Sequence, residues 1–306
     1  MLQNIFDFSL DYYENYEKYV RQAADFIKKQ LGNFQPQFGL TLGSGLGDLA
    51  QALEDAQMIE YKSIPHFPKS TTAGHAGRLL AGKLQGVNVL CFQGRKHYYE
   101  DAHLPLNVGL LEAVFAVHVL AELGATYFFA TNASGGLNLN YQVGDIMIIR
   151  SHINTIPNAC LGPVCDFKRI DNHEALWRFQ PMNNAYDQKL RALLKQACPN
   201  QKNIHEGVYL GLTGTTYETE AECIAFRDSF KADAVGMSTT PEIITARHRG
   251  LTCVGMSCIT NTIMADGTNA TNHEEVKAIL ESSAVRTRLS TTVQNFFKSF
   301  QKNYQN

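Results

Sequence analysis

The chain has 306 residues, of which 44% are hydrophobic, with a formal net charge of −2 and a sequence isoelectric point near 6.5. A chain of this size can bury a large core, in one large α/β domain or in two smaller ones. The near-neutral charge provides no basic field for a nucleic-acid backbone or an anionic membrane, so we expect a small-molecule partner.

The start of the chain and its cysteines indicate a cytoplasmic protein. Residues 1–11 lack a basic segment followed by a long apolar stretch, and no window approaches the ~18 apolar residues that a membrane-spanning helix needs. The seven cysteines are an odd, scattered set without a C-x-x-C pair. We therefore expect buried, reduced thiols and no metal site.

Apolar spacing along the chain predicts alternating strands and helices. An amphipathic helix over about residues 12–31 ends at Gly32, before the first strand. The predicted strands are 38–42, 57–61, 78–84, 87–93, 126–131, 145–149, 207–212, 233–236 and 252–257. The later predicted helices are 105–123, 183–198, 219–230, 241–249 and 272–303. This alternation predicts an α/β fold around a central mixed, mostly parallel sheet flanked by helices.

The first predicted strand runs into a glycine-rich turn that can hold an anion. Gly43, Gly45 and Gly47 surround one hydroxyl, that of Ser44, and glycine lets backbone N–H groups approach phosphate oxygens. The spacing is neither the G-x-G-x-x-G of dinucleotide-binding folds nor a P-loop, which needs a Lys-Ser/Thr pair. A plain tight connection is the alternative, and we interpret the turn as a phosphate cradle.

A second polar cluster follows the strand that ends at residue 93. If the chain stays extended there, Arg95, His97 and Tyr99 share one face. Arginine suits an oxyanion, and a histidine beside bound phosphate can donate or relay a proton. A solvated strand end is the alternative interpretation.

Two further turns fit the same phosphate. Thr131–Gly136 follows a strand as a small-residue turn that can offer backbone N–H groups. Ser238 or Thr240 lies near the start of a helix with Pro241 in its first turn, where N–H groups and the macrodipole favour an anion. Each alone is also typical of a plain turn or cap. Because all lie at strand ends, where ligands gather in α/β sheets, we predict that they enclose one phosphate.

The remaining polar and aromatic residues at predicted strand ends suit a purine nucleoside. Tyr217 and Glu218 follow one strand and supply an aromatic face and a carboxylate, while Asn261 follows another and supplies an amide. A 6-oxopurine presents N1–H to a carboxylate, whereas adenine presents a lone pair there and would be rejected. His273 lies in the first turn of a helix capped by Asn272, a position also typical of surface histidines.

Taken in order, these motifs resemble the trimeric, low-molecular-mass purine nucleoside phosphorylases. The motifs are GSGLG (43–47), GHAG (74–77), GRKHYYE (94–100), TNASGG (131–136), VGD (143–145), SHINT (151–155), YET (217–219), DAVGMSTTPE (233–242), ARH (246–248), ITN (259–261) and NHEE (272–275). The resemblance implies a single nucleoside phosphorylase domain over residues 1–306 with a partly barrel-like sheet, and a homotrimer with sites near the subunit interfaces.

The same resemblance implies an activity. It is reversible phosphorolysis of 6-oxopurine (deoxy)ribonucleosides, such as inosine and guanosine, to the free base and α-(deoxy)ribose 1-phosphate, with inversion at C1′. Inorganic phosphate is a co-substrate, and no metal or organic cofactor is expected. Within the family, a xanthosine-preferring or a methylthioadenosine-type enzyme is an alternative, although the latter favours an acid in place of Asn261. A non-catalytic nucleoside-binding protein is the alternative outside it.

The resemblance also assigns roles to residues, position by position. Phosphate would be held by Ser44, His75, Arg95, His97, Ala133 through its backbone N–H, and Ser238. Ribose would contact Tyr99, Met237 and His273, and the base would contact Tyr217, Glu218, Val235, Thr260 and Asn261. Asn261, Glu218 and His97 are the residues expected to carry catalysis, because a departing purine needs a hydrogen bond at N7 and a fixed orientation.

The chain departs from the family pattern in three places. Ser134 stands where many relatives have alanine, and Thr262 stands where some have lysine. Residues 163–180 do not keep the usual spacing around the aromatic residue that a neighbouring subunit lends to the ribose pocket. The candidates for that aromatic residue are Phe167, Trp177 and Phe179.

Overall fold

The computed structural model describes residues 2–43, 46–71, 76–160, 167, 179–269 and 272–304, with only the backbone at Gly47, Asp48 and His273. The strands in these ranges are β1 Phe38–Leu42, β2 Glu54–Glu60, β3 Arg78–Leu84, β4 Val87–Gln93, β5 Tyr127–Gly136, β6 Ile146–Asn154, β7 Ile204–Gly211, β8 Ala234–Gly236 and β9 Thr252–Thr262. The helices are α1 Leu2–Glu14, α2 Tyr16–Leu31, α3 Val108–Glu122, α4 Gln188–Ala197, α5 Glu220–Asp228, α6 Thr240–His248, α7 His273–Glu281 and α8 Ser283–Tyr304.

The strands form one mixed sheet that partly closes on itself. Their order is β2-β3-β4-β1-β5-β8-β7-β6-β9, and β9 also pairs with β5. Strands β5, β8, β7, β6 and β9 therefore make a closed barrel, from which β1, β4, β3 and β2 extend as an open sheet. The α/β fold with a mixed, partly barrel-like sheet flanked by helices is confirmed.

Parallel pairing brings several strand ends to one place. Strand β1 runs parallel to both β4 and β5, with Thr41 opposite Phe92 and Ala130, and β5 runs parallel to β9. Carboxyl ends of parallel neighbours meet at the same edge, so the segments after β1 and β4 lie beside the second half of β5.

Helices cover both faces of the sheet because neighbouring residues of β5 point to opposite sides. Phe128 packs in the cluster that includes α2 and α3, and Phe129 packs in the cluster under α8. Under α8, the ring of Phe38 lies 4.8 to 6.0 Å from three phenylalanines. They are Phe296, Phe297 and Phe300. Edge-on aromatic pairs of this kind contribute about 0.5–1.5 kcal/mol each beyond the area they bury.

One described helix, Pro105–Glu122, is apolar and long enough to span a membrane by composition alone. The expectation that no window of the sequence approaches the ~18 apolar residues of a membrane-spanning helix was therefore wrong. In the fold this segment contributes α3, which packs against α2 and α6, and 61% of it is buried. Burial in the core accounts for its composition.

The six cysteines in the described ranges are buried and free, as expected for reduced thiols. Cys165 lies outside those ranges.

Two predicted helices are each split in two. The helix predicted over 12–31 corresponds to α2 and the end of α1, which begins well before the predicted start, at Leu2. The two helices are separated at Asn15, whose Nδ2 donates to the Asp11 carbonyl at 3.1 Å. An asparagine side chain that bonds nearby backbone competes with the helix. The helix predicted over 272–303 is α7 and α8, broken at Ser282, which is extended with ψ 133°.

Some predicted turns belong to strands. Thr131–Gly136 and Ile259–Asn261 lie within β5 and β9, and β6 runs past the predicted 145–149 to Asn154. Gly135 and Gly136 read locally as a turn, but both pair with β8 and β9. Cross-strand pairing therefore overrides the local turn signal, and the glycines mark a close approach of neighbouring side chains.

Candidate active site

The turn that follows β1 is anchored on β5. The backbone N–H of Gly43 donates to Thr131 Oγ1 at 3.0 Å, and that hydroxyl donates to the Thr41 carbonyl at 2.6 Å. A Cβ on Gly43 would come within 3.0 Å of the Thr131 carbonyl oxygen and 3.3 Å of Asn132 Cα, so glycine allows this approach. Gly43 is where the phosphate cradle predicted at residues 43–47 begins.

Arg95 is held in a buried ion pair beside this turn. Its Nη1 donates to Glu242 Oε2 at 3.0 Å and to Thr239 Oγ1 at 3.2 Å, and its Nη2 donates to the Thr131 carbonyl. The other oxygen of Glu242 accepts from Thr41 Oγ1 at 3.2 Å. The two charged side chains are only 6% and 8% exposed, so the guanidinium is fixed in direction.

The start of α6 adds a row of hydroxyls. Its N-cap is Thr239, at φ +65°, so Ser238 and Thr240 flank the cap and lie near the start of the helix, as predicted. Thr239 Oγ1 accepts from Asn132 Nδ2 at 2.8 Å and lies 3.3 Å from Ser238 Oγ. Thr240 Oγ1 instead donates to Asn154 Oδ1 at 2.6 Å. Of the two predicted hydroxyls, Ser238 therefore belongs with the group around Arg95.

The chain does not stay extended after β4, contrary to the prediction for residues 95–99. A 3₁₀ turn over Tyr98–Glu100 follows His97, because Glu100 Oε1 accepts from the His97 backbone N–H at 2.7 Å and closes a capping box. The same oxygen lies 3.2 Å from His97 Nδ1. The rings of His97 and Tyr99 nevertheless stack, with centroids 4.9 Å apart.

Burial decides the charge of His97. Desolvation lowers the pKa of His97, although the hydrogen bond to Glu100 acts in the opposite sense. Desolvation raises the pKa of Glu100, but hydrogen bonds from His97 and Thr71 outweigh it and hold that pKa well below its usual range. A carboxylate only accepts, so Nδ1 of the neutral imidazole carries the proton.

Tyr99 and Met237 form a wall against the loop after β7. A Cβ on Gly214 would come 2.5 Å from Met237 Sδ and 3.1 Å from Tyr99 Cδ1. The same loop carries Tyr217, which is 42% exposed and whose pKa is raised by burial, with added contributions from Glu218 and Tyr99. The residues predicted for ribose and for the aromatic face of the base are thus neighbours.

Asn261 and Val235 converge across the barrel strands. A Cβ on Gly135 of β5 would lie 3.1 Å from Asn261 Nδ2 and 3.4 Å from Val235 Cγ1. Thr260 Oγ1 lies 3.2 Å from Asn261 Oδ1 and 3.3 Å from the Ser134 carbonyl oxygen. The one proton of the Thr260 hydroxyl is shared between these two acceptors, so Thr260 contacts the oxygen end of the Asn261 amide.

Glu218 is positioned by the start of α5. The residue after it, Thr219, is the N-cap, and its backbone N–H donates to Glu222 Oε2 at 2.8 Å in a capping box. The Glu218 side chain is partly buried, and desolvation raises its pKa.

The structure places most of the predicted site residues but not all. Ser44, His75 and Trp177 lie outside the described residues. The His273 backbone begins α7, whose cap is confirmed, since Asn272 Oδ1 accepts from the Glu275 N–H at 2.8 Å.

Two of the three aromatic candidates for a neighbouring subunit's pocket can be compared. Phe167 is 1% exposed, stacks on His118 at 4.4 Å and lies under the Arg249 guanidinium at 4.8 Å. Because this ring is buried in its own chain, Phe167 as a candidate was wrong. Phe179 is 76% exposed.

Sequence reasoning missed Glu242, Thr239 and Glu100. Glu100 lies three residues after His97, a spacing that signals a capping box. Glu242 reads locally as an acidic residue in the first turn of a helix, which the macrodipole favours. Nothing in the local sequence indicates that it faces Arg95, 147 residues away.

The fold and this site define a member of the phosphorylase superfamily, whose family model matches residues 37–293. The chain is 43% identical to purine nucleoside phosphorylase 1 of Geobacillus stearothermophilus, over 84% of this chain and 89% of that protein. Two solved purine nucleoside phosphorylases are also similar. The schistosoma enzyme with hypoxanthine has a TM-score of 0.79 and 34% identity, and the Schistosoma mansoni enzyme with adenosine has 0.78 and 33%. Each comparison covers 91% of this chain and 96% of the other. Within the superfamily, the chain belongs to the purine nucleoside phosphorylases and is an enzyme.

Proposed function

We propose that this enzyme catalyses the reversible phosphorolysis of 6-oxopurine (deoxy)ribonucleosides, with inversion at C1′. The products are the free base and α-(deoxy)ribose 1-phosphate. The observation that carries the proposal is that β5 contacts both groups of residues: Thr131 bonds Arg95, and Gly135 lies against Asn261. An anion-binding group and a base-binding amide are thus attached to one strand.

The proposed phosphate site lies around Arg95. Its ligands are Ser44, His75, Arg95, His97, the backbone N–H of Ala133, and Ser238. A fixed guanidinium and neutral hydrogen-bond donors suit a phosphate dianion. Because the single ring proton of neutral His97 lies on Nδ1 and is directed to Glu100, its Nε2 is an acceptor, which suits the P–O–H group of a hydrogen phosphate dianion. The proposed reaction uses no metal and no organic cofactor.

The proposed nucleoside site extends from the phosphate site toward the barrel. Its ribose contacts are Tyr99, Met237 and His273, and its purine contacts are Tyr217, Glu218, Val235, Thr260 and Asn261. The adjacency of Tyr99 and Met237, and of Val235 and Asn261, supports this division.

Bond cleavage in this site develops charge at two ends. The C1′–N9 bond breaks, its electron pair leaves with the purine, and positive charge appears on the sugar ring. Asn261 Nδ2 donates to N7 of the leaving base, and Glu218 fixes the base through N1–H. Phosphate stabilises the sugar cation and forms the new bond to C1′ from the opposite face, so the configuration inverts.

A rate comparison tests the proposed specificity. We expect inosine and guanosine to be the best substrates among inosine, guanosine, xanthosine, adenosine and methylthioadenosine. Glu218 would face the N1 lone pair of adenine, which leaves the carboxylate without a donor. A relative crystallised with adenosine makes this measurement necessary. Adenosine as the best substrate would overturn the roles of Glu218 and Asn261, and xanthosine would indicate a different pocket near C2.

A further inference from the structure

The phosphate site proposed above contains a carboxylate that the reaction does not require. Glu242 lies in the first turn of α6, four residues after Ser238, and its side chain is 8% exposed. An anion near a phosphate dianion opposes its binding, and the effect is large where water is excluded. The position of Glu242 therefore needs an explanation.

The two carboxylate oxygens of Glu242 join Arg95 to β1. Oε2 accepts from Arg95 Nη1 at 3.0 Å, and Oε1 accepts from Thr41 Oγ1 at 3.2 Å, which ties the carboxylate to β1. Arg95 Nη2 is held by the Thr131 carbonyl of β5. The guanidinium is thus clamped from two elements, and a long side chain that otherwise samples many rotamers has one direction.

The ion pair between Arg95 and Glu242 lies in surroundings that exclude most solvent. Beside it lies a cavity of about 20 Å³, room for a single water. Its lining is mixed: Tyr61, Lys96 and Glu112 are polar, whereas Phe67 and Phe92 are apolar. Both side chains of the pair are less than a tenth exposed, so salt and bulk water attenuate the effect of Glu242 on Arg95 and on a neighbouring anion less than they would at the surface.

We propose that Glu242 is a positioning residue for phosphorolysis, which aims Arg95 at the phosphate and at the same time weakens the affinity for phosphate. The inference rests on the proposed function, since it concerns the same anion site. Glu242 has two separable properties, its shape as a hydrogen-bond acceptor and its charge. Removing only the charge and removing both have opposite effects on phosphate.

The test uses two substitutions at this position. Glu242→Gln keeps the shape and an acceptor for Arg95, and we expect the KM for phosphate to fall about 3- to 10-fold with the KM for inosine unchanged. Glu242→Ala releases Arg95, and we expect kcat/KM for phosphate to fall roughly 10-fold or more. Inhibition by sulfate, which competes as an anion, should strengthen in the glutamine variant and weaken in the alanine variant.

A matched control is Glu206→Gln, which removes a carboxylate paired with Arg191 at 2.7 Å on β7, away from the site. It should leave both KM values unchanged. Thr41→Val removes the hydroxyl that holds Glu242 and keeps the side-chain shape, and we expect the KM for phosphate to rise about 2- to 5-fold. This variant decides the question if neither Glu242 variant folds.

The two proposals fail in different ways. A wild-type enzyme that releases no hypoxanthine from inosine in the presence of phosphate refutes the proposed function. A wild-type enzyme that is active, with an unchanged or raised KM for phosphate in Glu242→Gln, refutes the role of Glu242.

Discussion

Asn261 is the residue on which bond cleavage is expected to depend most. Thr260 contacts the oxygen end of its amide, and Gly135 leaves room for it beside β5. We predict that Asn261→Ala lowers kcat/KM for inosine about 10²-fold or more, the usual loss of a donor to developing negative charge. Steady-state phosphorolysis measures it, with Asn140→Ala on the exposed surface as control. An unaffected rate would remove Asn261 from the mechanism.

The His97–Glu100 pair has a testable electrostatic signature. Burial lowers the pKa of His97, and the hydrogen bond and charge of Glu100 raise it in part. We predict that His97 titrates below 6.5 in the wild type and still lower in Glu100→Gln, because the carboxylate that favours the imidazolium is gone. The titration of the His97 ring protons by NMR measures both values. A higher pKa of His97 in the variant would contradict the conclusion that Glu100 raises it.

The site residues that the sequence predicted have side-chain chemistry that matches a ligand. Arg95, Glu218 and Asn261 each suit one part of a nucleoside or phosphate, and each follows or ends a strand. Glu242 serves another side chain instead, so its role depends on a contact across 147 residues. Such a contact arises from tertiary packing, so the spacing of neighbouring residues in the sequence does not predict it.

At the scale of elements, the loop after β4 and α3 share a crowded charge cluster. Lys96 Nζ lies 2.6 Å from Asp101 Oδ2, 3.6 Å from Glu112 Oε2 and 3.8 Å from Glu100 Oε2. Desolvation, with a hydrogen bond that the protonated Glu112 donates to Asp101, raises the pKa of Glu112 to about 7. One ammonium thus faces three carboxyl groups, and below about pH 7 the proton between Glu112 and Asp101 lies on Glu112.

This cluster makes stability depend on pH. The pKa of Glu112 is higher in the folded protein than in the unfolded chain, so the protonated side chain stabilises the fold. This contribution to the free energy of unfolding is complete below about pH 4.5 and is lost as pH rises through about 7. We predict that Glu112→Gln gains stability relative to the wild type between pH 5 and pH 8, on the order of 1 kcal/mol. Urea unfolding at the two pH values measures the change.

Glu281→Gln is the control for this prediction, because Glu281 forms a solvated pair with Lys277 and should show little difference between the two pH values. If the stability of Glu112→Gln relative to the wild type fell with rising pH, the ionised carboxylate of Glu112 would instead stabilise the folded protein, and the prediction would be wrong.

The sequence predicted elements well where apolar periodicity decides them. The strands of the open sheet and the core helices match within a few residues, because burial imposes their spacing. The breaks at Asn15 and Ser282 arise from single polar residues within otherwise continuous patterns. The second half of β5 was missed because Gly135 and Gly136 become a strand only through pairing with β8 and β9.

At the scale of the whole molecule, the oligomer remains a prediction. We expect light scattering to give a homotrimer, three times the chain mass of 34.1 kDa. Of the two described candidates for the aromatic residue lent to a neighbouring subunit, Phe179 is 76% exposed and Phe167 is buried. If it completes the ribose pocket, Phe179→Ala should raise the KM for inosine about 10-fold with little effect on phosphate. A monomer with full activity would contradict both expectations.

Strand β5 belongs both to the open sheet and to the barrel. Its length sets the distance between the proposed phosphate site and the proposed purine site. Thr131 contacts Arg95, the proposed phosphate ligand, and Gly135 contacts the amide of Asn261, the proposed purine ligand, four residues further along, or about 13 Å of extended chain. Deleting one residue between them would shorten that span by about 3.3 Å and turn every later side chain to the opposite face. Surface loops can change length during evolution, whereas we expect the length of this segment to be constrained by the distance between the proposed phosphate and purine sites.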